Sequence, residues 1–194
     1  QMFDISVMRY PDHTCFISFT PERQSLTYTE VQQRVIALAD YLVSKGVGEG
    51  DKIAVSGKNS PEWGIAYLAV LYAGAIVVPL DATLNNTDLT KLMKFAEVKM
   101  FFADKERLKG FDEKDELALS ERISLEAGSE YPFLLDLKAP TQKRRLADAE
   151  ETAAILFTSG TTGTPKGVML SHRNFVSDCY LTQGNMTIYE SDVF

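Results

Sequence analysis

The chain has 194 residues and is 45% hydrophobic, which is enough to bury a core in one domain or two small ones. A formal net charge of −7 argues against nucleic acid or an anionic membrane surface as the main partner, because both bind basic patches. Two cysteines without C-x-x-C spacing, Cys15 and Cys179, suit reduced thiols in a cytosolic protein, and two histidines outside any Cys/His cluster give no case for zinc.

No basic region followed by an apolar core opens the sequence, so a signal peptide is not expected. From Ser25 a pattern emerges. Thr27 and Glu30 have capping-box spacing, and Val31, Val35, Leu38, Ala39, Leu42 and Val43 recur at helical intervals until Gly46. Lys52 to Val55 reads as a short buried strand after the Gly48–Asp51 turn. Ser60 before Pro61 predicts an N-cap with proline at the first helical position, and the apolar helix through Trp63 to Ala73 should end at Gly74. Ile76 to Leu80 reads as the next strand. The apolar run from Ile65 to Leu80 is shorter than the roughly 20 residues of a membrane helix, and Gly74 and Pro79 interrupt it. A buried helix followed by a buried strand explains it.

Asn86 or Thr87 should cap a third helix through Leu89, Leu92, Met93 and Phe95, followed by a strand from Met100 to Ala103. Trp63, Phe101 and Phe102 are read as core residues. The charged stretch Asp104–Glu116 is read as a solvated helix or loop, and Arg122 to Leu125 as a further strand. Strands alternating with helices at this spacing imply an α/β fold, a mostly parallel sheet covered by helices through right-handed crossovers. Residues 1–137 form the α/β core in this reading. Residues 138–151 form an exposed connector whose basic triplet Lys143, Arg144, Arg145 is solvated, because Asp148, Glu150 and Glu151 follow closely.

Residues 152–194 hold the most informative stretch. Between the apolar run ending at Phe157 and a second strand, Val168 to Leu170, lies Thr158-Ser-Gly-Thr-Thr-Gly-Thr-Pro-Lys-Gly167. Thr158, Ser159, Thr161, Thr162 and Thr164 offer hydroxyl donors. Gly160, Gly163 and Gly167 let backbone N–H groups approach an anion closely, and Lys166 adds one mobile positive charge. That combination suits a polyphosphate. It is not the loop G-x-x-x-x-G-K-[ST], because Lys166 follows Pro165 and precedes Gly167, and the expected strand-loop-strand order differs from that loop's strand-to-helix order. Ser171 should cap a helix beginning near His172, which gives His172 a structural role at a helix start rather than that of a catalytic base.

The segment Thr158–Gly167 resembles the phosphate-loop signature of the acyl-adenylate-forming enzymes, a superfamily of acyl-CoA synthetases, peptide-synthetase adenylation domains and firefly luciferase. Leu26 to Glu30, Gly46 to Asp51 and Leu71 to Asp81 resemble the N-terminal landmarks of that family in the same order. The wording from Leu156 to Phe175 is most similar to bacterial long-chain fatty acyl-CoA synthetases, with an amino-acid adenylation domain or a non-catalytic nucleotide-binding module as alternatives. The resemblance implies that the chain is the first part of a large N-terminal domain, trimmed at both ends and inactive alone. For the full-length protein it implies an acid-thiol ligase of the cytoplasm using ATP, Mg²⁺, a fatty acid and coenzyme A, with peripheral membrane contact compatible with that role.

Carried over residue by residue, the resemblance places phosphate binding at Thr158, Ser159, Gly160, Thr161, Thr162 and Lys166, with Lys166 acting on the leaving pyrophosphate. Thr158 is also the position of a hydroxyl ligand to Mg²⁺, its alternative being an ordinary threonine at a strand end. The adenine, acyl and coenzyme A pockets, and a catalytic lysine of a small C-terminal domain, are expected outside this chain.

Overall fold

The computed structural model describes residues 2–19, 22–111, 117–158, 166–186 and 189. A helix α1 (Met2–Arg9) and a hairpin of β1 (Thr14–Ser18) and β2 (Gln24–Thr27) precede helix α2 (Tyr28–Ser44). The Thr27 hydroxyl accepts from the Glu30 N–H, and the Glu30 carboxylate accepts from the Thr27 N–H at 2.8 Å, which completes the expected capping box. Gly46, at φ 74°, supplies the left-handed turn that ends this helix.

Strand β3 (Lys52–Ser56), helix α3 (Pro61–Tyr72), strand β4 (Ile76–Pro79), helix α4 (Asn86–Ala96) and strand β5 (Val98–Ala103) follow in strict alternation. Ser60 caps α3 as its sequence predicts. The cap of α4 lies one residue before the expected pair: Asn85 accepts from the Asp88 N–H at 2.9 Å. Asn86 is engaged elsewhere, its amide donating to the Gly110 carbonyl at 3.1 Å. After β5 come a short helix α5 (Lys105–Lys109) and strand β6 (Glu121–Ser124). A turn of 3₁₀ helix spans Leu134–Asp136, and β7 (Thr152–Thr158), β8 (Lys166–Ser171) and helix α6 (His172–Asn185) complete the described chain.

The main sheet has the order β6-β5-β3-β4-β7-β8, parallel throughout except for the antiparallel β7–β8 pair. Both faces of its centre are buried, as parallel sheets require. Period-two alternation divides the residues. Ile53, Val55, Val77, Met100 and Phe102 pack with α2 and α3 on one face, and Ala54, Val78, Phe101 and Ala103 pack with α4 and α5 on the other. Phe101 and Phe102 are fully buried on opposite faces, each stabilising its layer by about 1.5 to 3 kcal/mol. Trp63 is partly buried against the first layer and stacks on Tyr67.

The far edge is different. Residues 166–169 of β8 are exposed, and α6 contains no buried residue. Cys15 and Cys179 are free thiols. Among the described residues, no helix is long and apolar enough to cross a membrane.

Candidate functional site

Strand β7 leaves the sheet in the same direction as β3, β4, β5 and β6, so its end at Thr158 lies on the carboxyl edge of the parallel strands. Helices α3 and α4 cover opposite faces after the neighbouring strands β3 and β4, so the connections that leave this edge diverge to the two sides of the sheet. Open α/β sheets bind ligands at such an edge. The β7–β8 ladder runs from Thr152–Ser171 at its root to Thr158–Lys166 at its tip, which lies at this edge.

Thr158, Lys166 and Gly167 are brought together at the tip, with Thr158 and Lys166 directly opposite each other and both exposed. Ser159, Gly160, Thr161, Thr162, Gly163 and Thr164 lie outside the described residues. Among the described residues no carboxylate pairs with the Lys166 ammonium. Gly167 has a packing reason of its own. A Cβ there would stand 3.0 Å from Cγ2 of Ile155 and 3.4 Å from Cε1 of Phe157. Phe157 in turn meets the Phe95 ring edge-on at 6.0 Å, so glycine at 167 lets the apolar side chains of β7 lie flat across β8.

Among the described residues, no group of three or more His, Cys, Asp or Glu is placed to hold a metal ion. The Thr158 hydroxyl is one hard oxygen donor, which fits a single position in the octahedral shell of Mg²⁺ and no more.

The root of the hairpin is bound differently. Ser171 caps α6 in a second capping box, with Asn174 as its partner. The His172 N–H donates to the Glu151 carbonyl at 3.1 Å, and the Arg173 N–H to the Ala149 carbonyl at 2.8 Å. His172 is therefore separated from Lys166 by the length of β8, about 20 Å. Burial pushes its imidazole below the ordinary value, opposed by the nearby Glu151 carboxylate. Its backbone N–H ties the start of α6 to the residue before β7.

A cavity of about 490 Å³ opens at this root, lined by Phe3, Leu68, Tyr72, Arg144, Arg173 and Phe175 among others. It lies at the wrong end of β8 for the loop, and its arginines are committed to Asp40, Glu151 and Glu150. They leave no spare positive charge for a phosphate. The basic triplet, solvated by its sequence context alone, is not uniformly so. Arg144 lies 3.3 Å from the buried Asp40, a long-range pair with no local signal.

The AMP-binding enzyme family model matches residues 3–194. A Mycobacterium tuberculosis 3-[(3aS,4S,7aS)-7a-methyl-1,5-dioxo-octahydro-1H-inden-4-yl]propanoyl:CoA ligase is 33% identical over 187 residues, covering 90% of this chain and 36% of that protein. One component of the linear gramicidin synthase of Brevibacillus parabrevis is 31% identical over 196 residues, covering 100% of this chain and 4% of that protein. In structure, the O-succinylbenzoate coenzyme A synthetase of Bacillus subtilis, solved with AMP, superposes with a TM-score of 0.83 at 22% identity, over 99% of this chain and 47% of that one. The chain thus spans about a third of the ligase and less than half of the synthetase, and the shared fold is the α/β domain described above. With the family model matching nearly its whole length, the chain belongs to the AMP-binding enzyme family.

Proposed function

We propose that the full-length protein is an ATP-dependent carboxylate-adenylating ligase in which this chain supplies the phosphate-binding hairpin. The observation that carries the reading is Lys166, without a carboxylate partner among the described residues, facing Thr158 at the tip of β7–β8 and flanking a segment rich in hydroxyls and glycine. A carboxylate oxygen attacks the α-phosphorus of ATP, the bond to the bridging oxygen breaks, and pyrophosphate leaves with the electron pair. Charge grows on that leaving group. Lys166, the loop hydroxyls and the loop N–H groups stabilise it where it develops. Thr158 would offer one hydroxyl oxygen to a Mg²⁺ ion held by the ATP phosphates, which would neutralise part of their charge.

The acceptor that completes the reaction is the thiol of coenzyme A, which attacks the acyl carbon and releases AMP. We propose a long-chain fatty acid as the carboxylate, on the wording of the sequence from Leu156 to Phe175. A second reading, amino-acid adenylation, is favoured by the gramicidin synthase relative, whose identity of 31% is close to the 33% of the CoA ligase. A pyrophosphate-release screen of the full-length protein separates them. Palmitate or oleate should be active with coenzyme A. Activity with amino acids alone would overturn the fatty-acid assignment and support the second reading.

The 194-residue chain by itself should give only background pyrophosphate exchange, because the adenine and acyl pockets are expected outside it. Exchange in the purified chain above that background would show that it holds a complete site.

A further inference from the structure

The phosphate hairpin has little to hold its register. On the β8 side residues 166–169 are exposed and no residue of α6 is fully buried, so core packing of this side is confined to the contact of Ile155 and Phe157 across Gly167 and to the half-buried Phe175. A slip of one residue would turn Lys166 to the other face of the ladder. Register is set at the root, where the pairing shifts between Thr152 and Ala154 and leaves Ala153 as an extra, fully buried residue on β7.

Two charge pairs sit near that bulge, Arg173–Glu150, both of whose side chains are largely exposed, and Arg145–Glu151, whose carboxylate is the better covered. The Arg145 guanidinium donates through both terminal nitrogens to the two carboxylate oxygens of Glu151, through Nη1 at 2.6 Å. The same carboxylate accepts from the Asp148 N–H at 3.0 Å, and Arg145 also lies 3.5 Å from Glu49, in the turn before β3. The Glu151 carbonyl meanwhile accepts from the His172 N–H, at the first residue after β8. Glu151 thus joins the connector, the start of β7 and the end of β8. A two-pronged pair holds it in one orientation, which a single-point contact would not.

We propose that Arg145 and Glu151 are a positioning pair that locks the register of the β7–β8 hairpin and so keeps Lys166 opposite Thr158. The functional importance of that register rests on the phosphate-binding role proposed above. Neither residue touches the ligand. They act through the ladder, from its far end.

The test needs no ATP, so its failure and the failure of the adenylation reading are separable. A cysteine pair, L156C/V168C, placed at positions that face each other in the native register and introduced with C15S and C179S, reports register through its rate of oxidative cross-linking. Amide hydrogen exchange of β7 and β8 reports opening. Both are measured with R145Q, E151Q and R145Q/E151Q. The change E151Q keeps an oxygen for the Asp148 N–H and removes only the charge. If the pair is the lock, each single change slows cross-linking and speeds exchange by roughly threefold, and the double change does no more than either single one.

Exchange of the amides of β3 and β5 should not change, which separates loss of register from loss of the fold. Unchanged cross-linking and exchange in E151Q and R145Q would overturn the proposal, as would effects that add in the double variant. Should one single variant fail to fold, the other supplies the same comparison with the unmodified pair.

Discussion

Arg144→Ala probes how the connector is tied to the core. Asp40 is 4% exposed inside α2, and Arg144 Nη1 stands 3.3 Å from its Oδ1 while also donating to the Ile36 carbonyl at 3.4 Å. At that separation and an effective dielectric near 20, the Coulomb attraction is about 5 kcal/mol. Most of it is offset by desolvation, and the Arg144 side chain keeps 25% of its exposure, so water screens the pair further. The contact is a charge pair rather than a well-aligned hydrogen bond, since Oδ1 of Asp40 has no partner of hydrogen-bond geometry. Removing Arg144 leaves the buried Asp40 carboxylate without its charge partner, and about 1 to 3 kcal/mol of stability should be lost. Urea unfolding followed by far-UV circular dichroism measures it as a lower midpoint at constant slope. Asp40→Asn added to Arg144→Ala should recover a good part of the loss, because the stranded charge is then gone. A cost below about 0.5 kcal/mol for Arg144→Ala would mean that the Asp40 carboxylate does not depend on this partner.

Gly167→Ala should destabilise the hairpin by about 1 to 3 kcal/mol, because its Cβ would meet Ile155 at 3.0 Å and force the apolar side chains of β7 to shift. Faster amide exchange confined to β7 and β8 would report it, and unchanged protection would contradict it. The Arg145–Glu151 pair gives a pH signature. Hydrogen bonding to Arg145 first, and to the Asp148 N–H second, pulls the Glu151 carboxyl from its ordinary 4.5 down to about 2. A pKa lowered by folding contributes stability that is fully present above the unfolded value and lost as pH falls through the folded one. The difference in hairpin protection between the native protein and E151Q should therefore be flat above about pH 5 and vanish toward pH 2; a difference that fades already above pH 5 would contradict the assignment.

The local parts of the fold were legible because local chemistry decides them. Thr27 with Glu30, Ser60 with Pro61, and Ser171 before His172 each placed a helix start, since a side chain three residues from a free N–H has few other uses. The start of α4 was off by one because Asn85 and Asn86 are equally good caps in sequence. Only the contact of Asn86 with the Gly110 carbonyl, 24 residues away, breaks the tie. Helix α1 and the β1–β2 hairpin carried no strong signal, α1 burying only Val7. At the site, the strand pair was readable from residue types. The roles of Arg144, Arg145 and Glu151 were not, because a charge run in a connector looks the same whether its partners are water or a buried carboxylate of a distant helix. Gly167 was assigned to anion approach, and the packing of Ile155 and Phe157 against it appears only once the register of β7 on β8 is known.

The proposed role of the hairpin is tested by single-turnover acyl-adenylate formation in the full-length protein, native and Lys166→Ala, beside equilibrium binding of the fatty acid. A charge that engages the leaving pyrophosphate as it develops acts on the chemical step. The rate should fall by roughly 10- to 1000-fold in Lys166→Ala, with fatty-acid affinity nearly unchanged. An unchanged rate, or a loss confined to fatty-acid binding, would contradict that role.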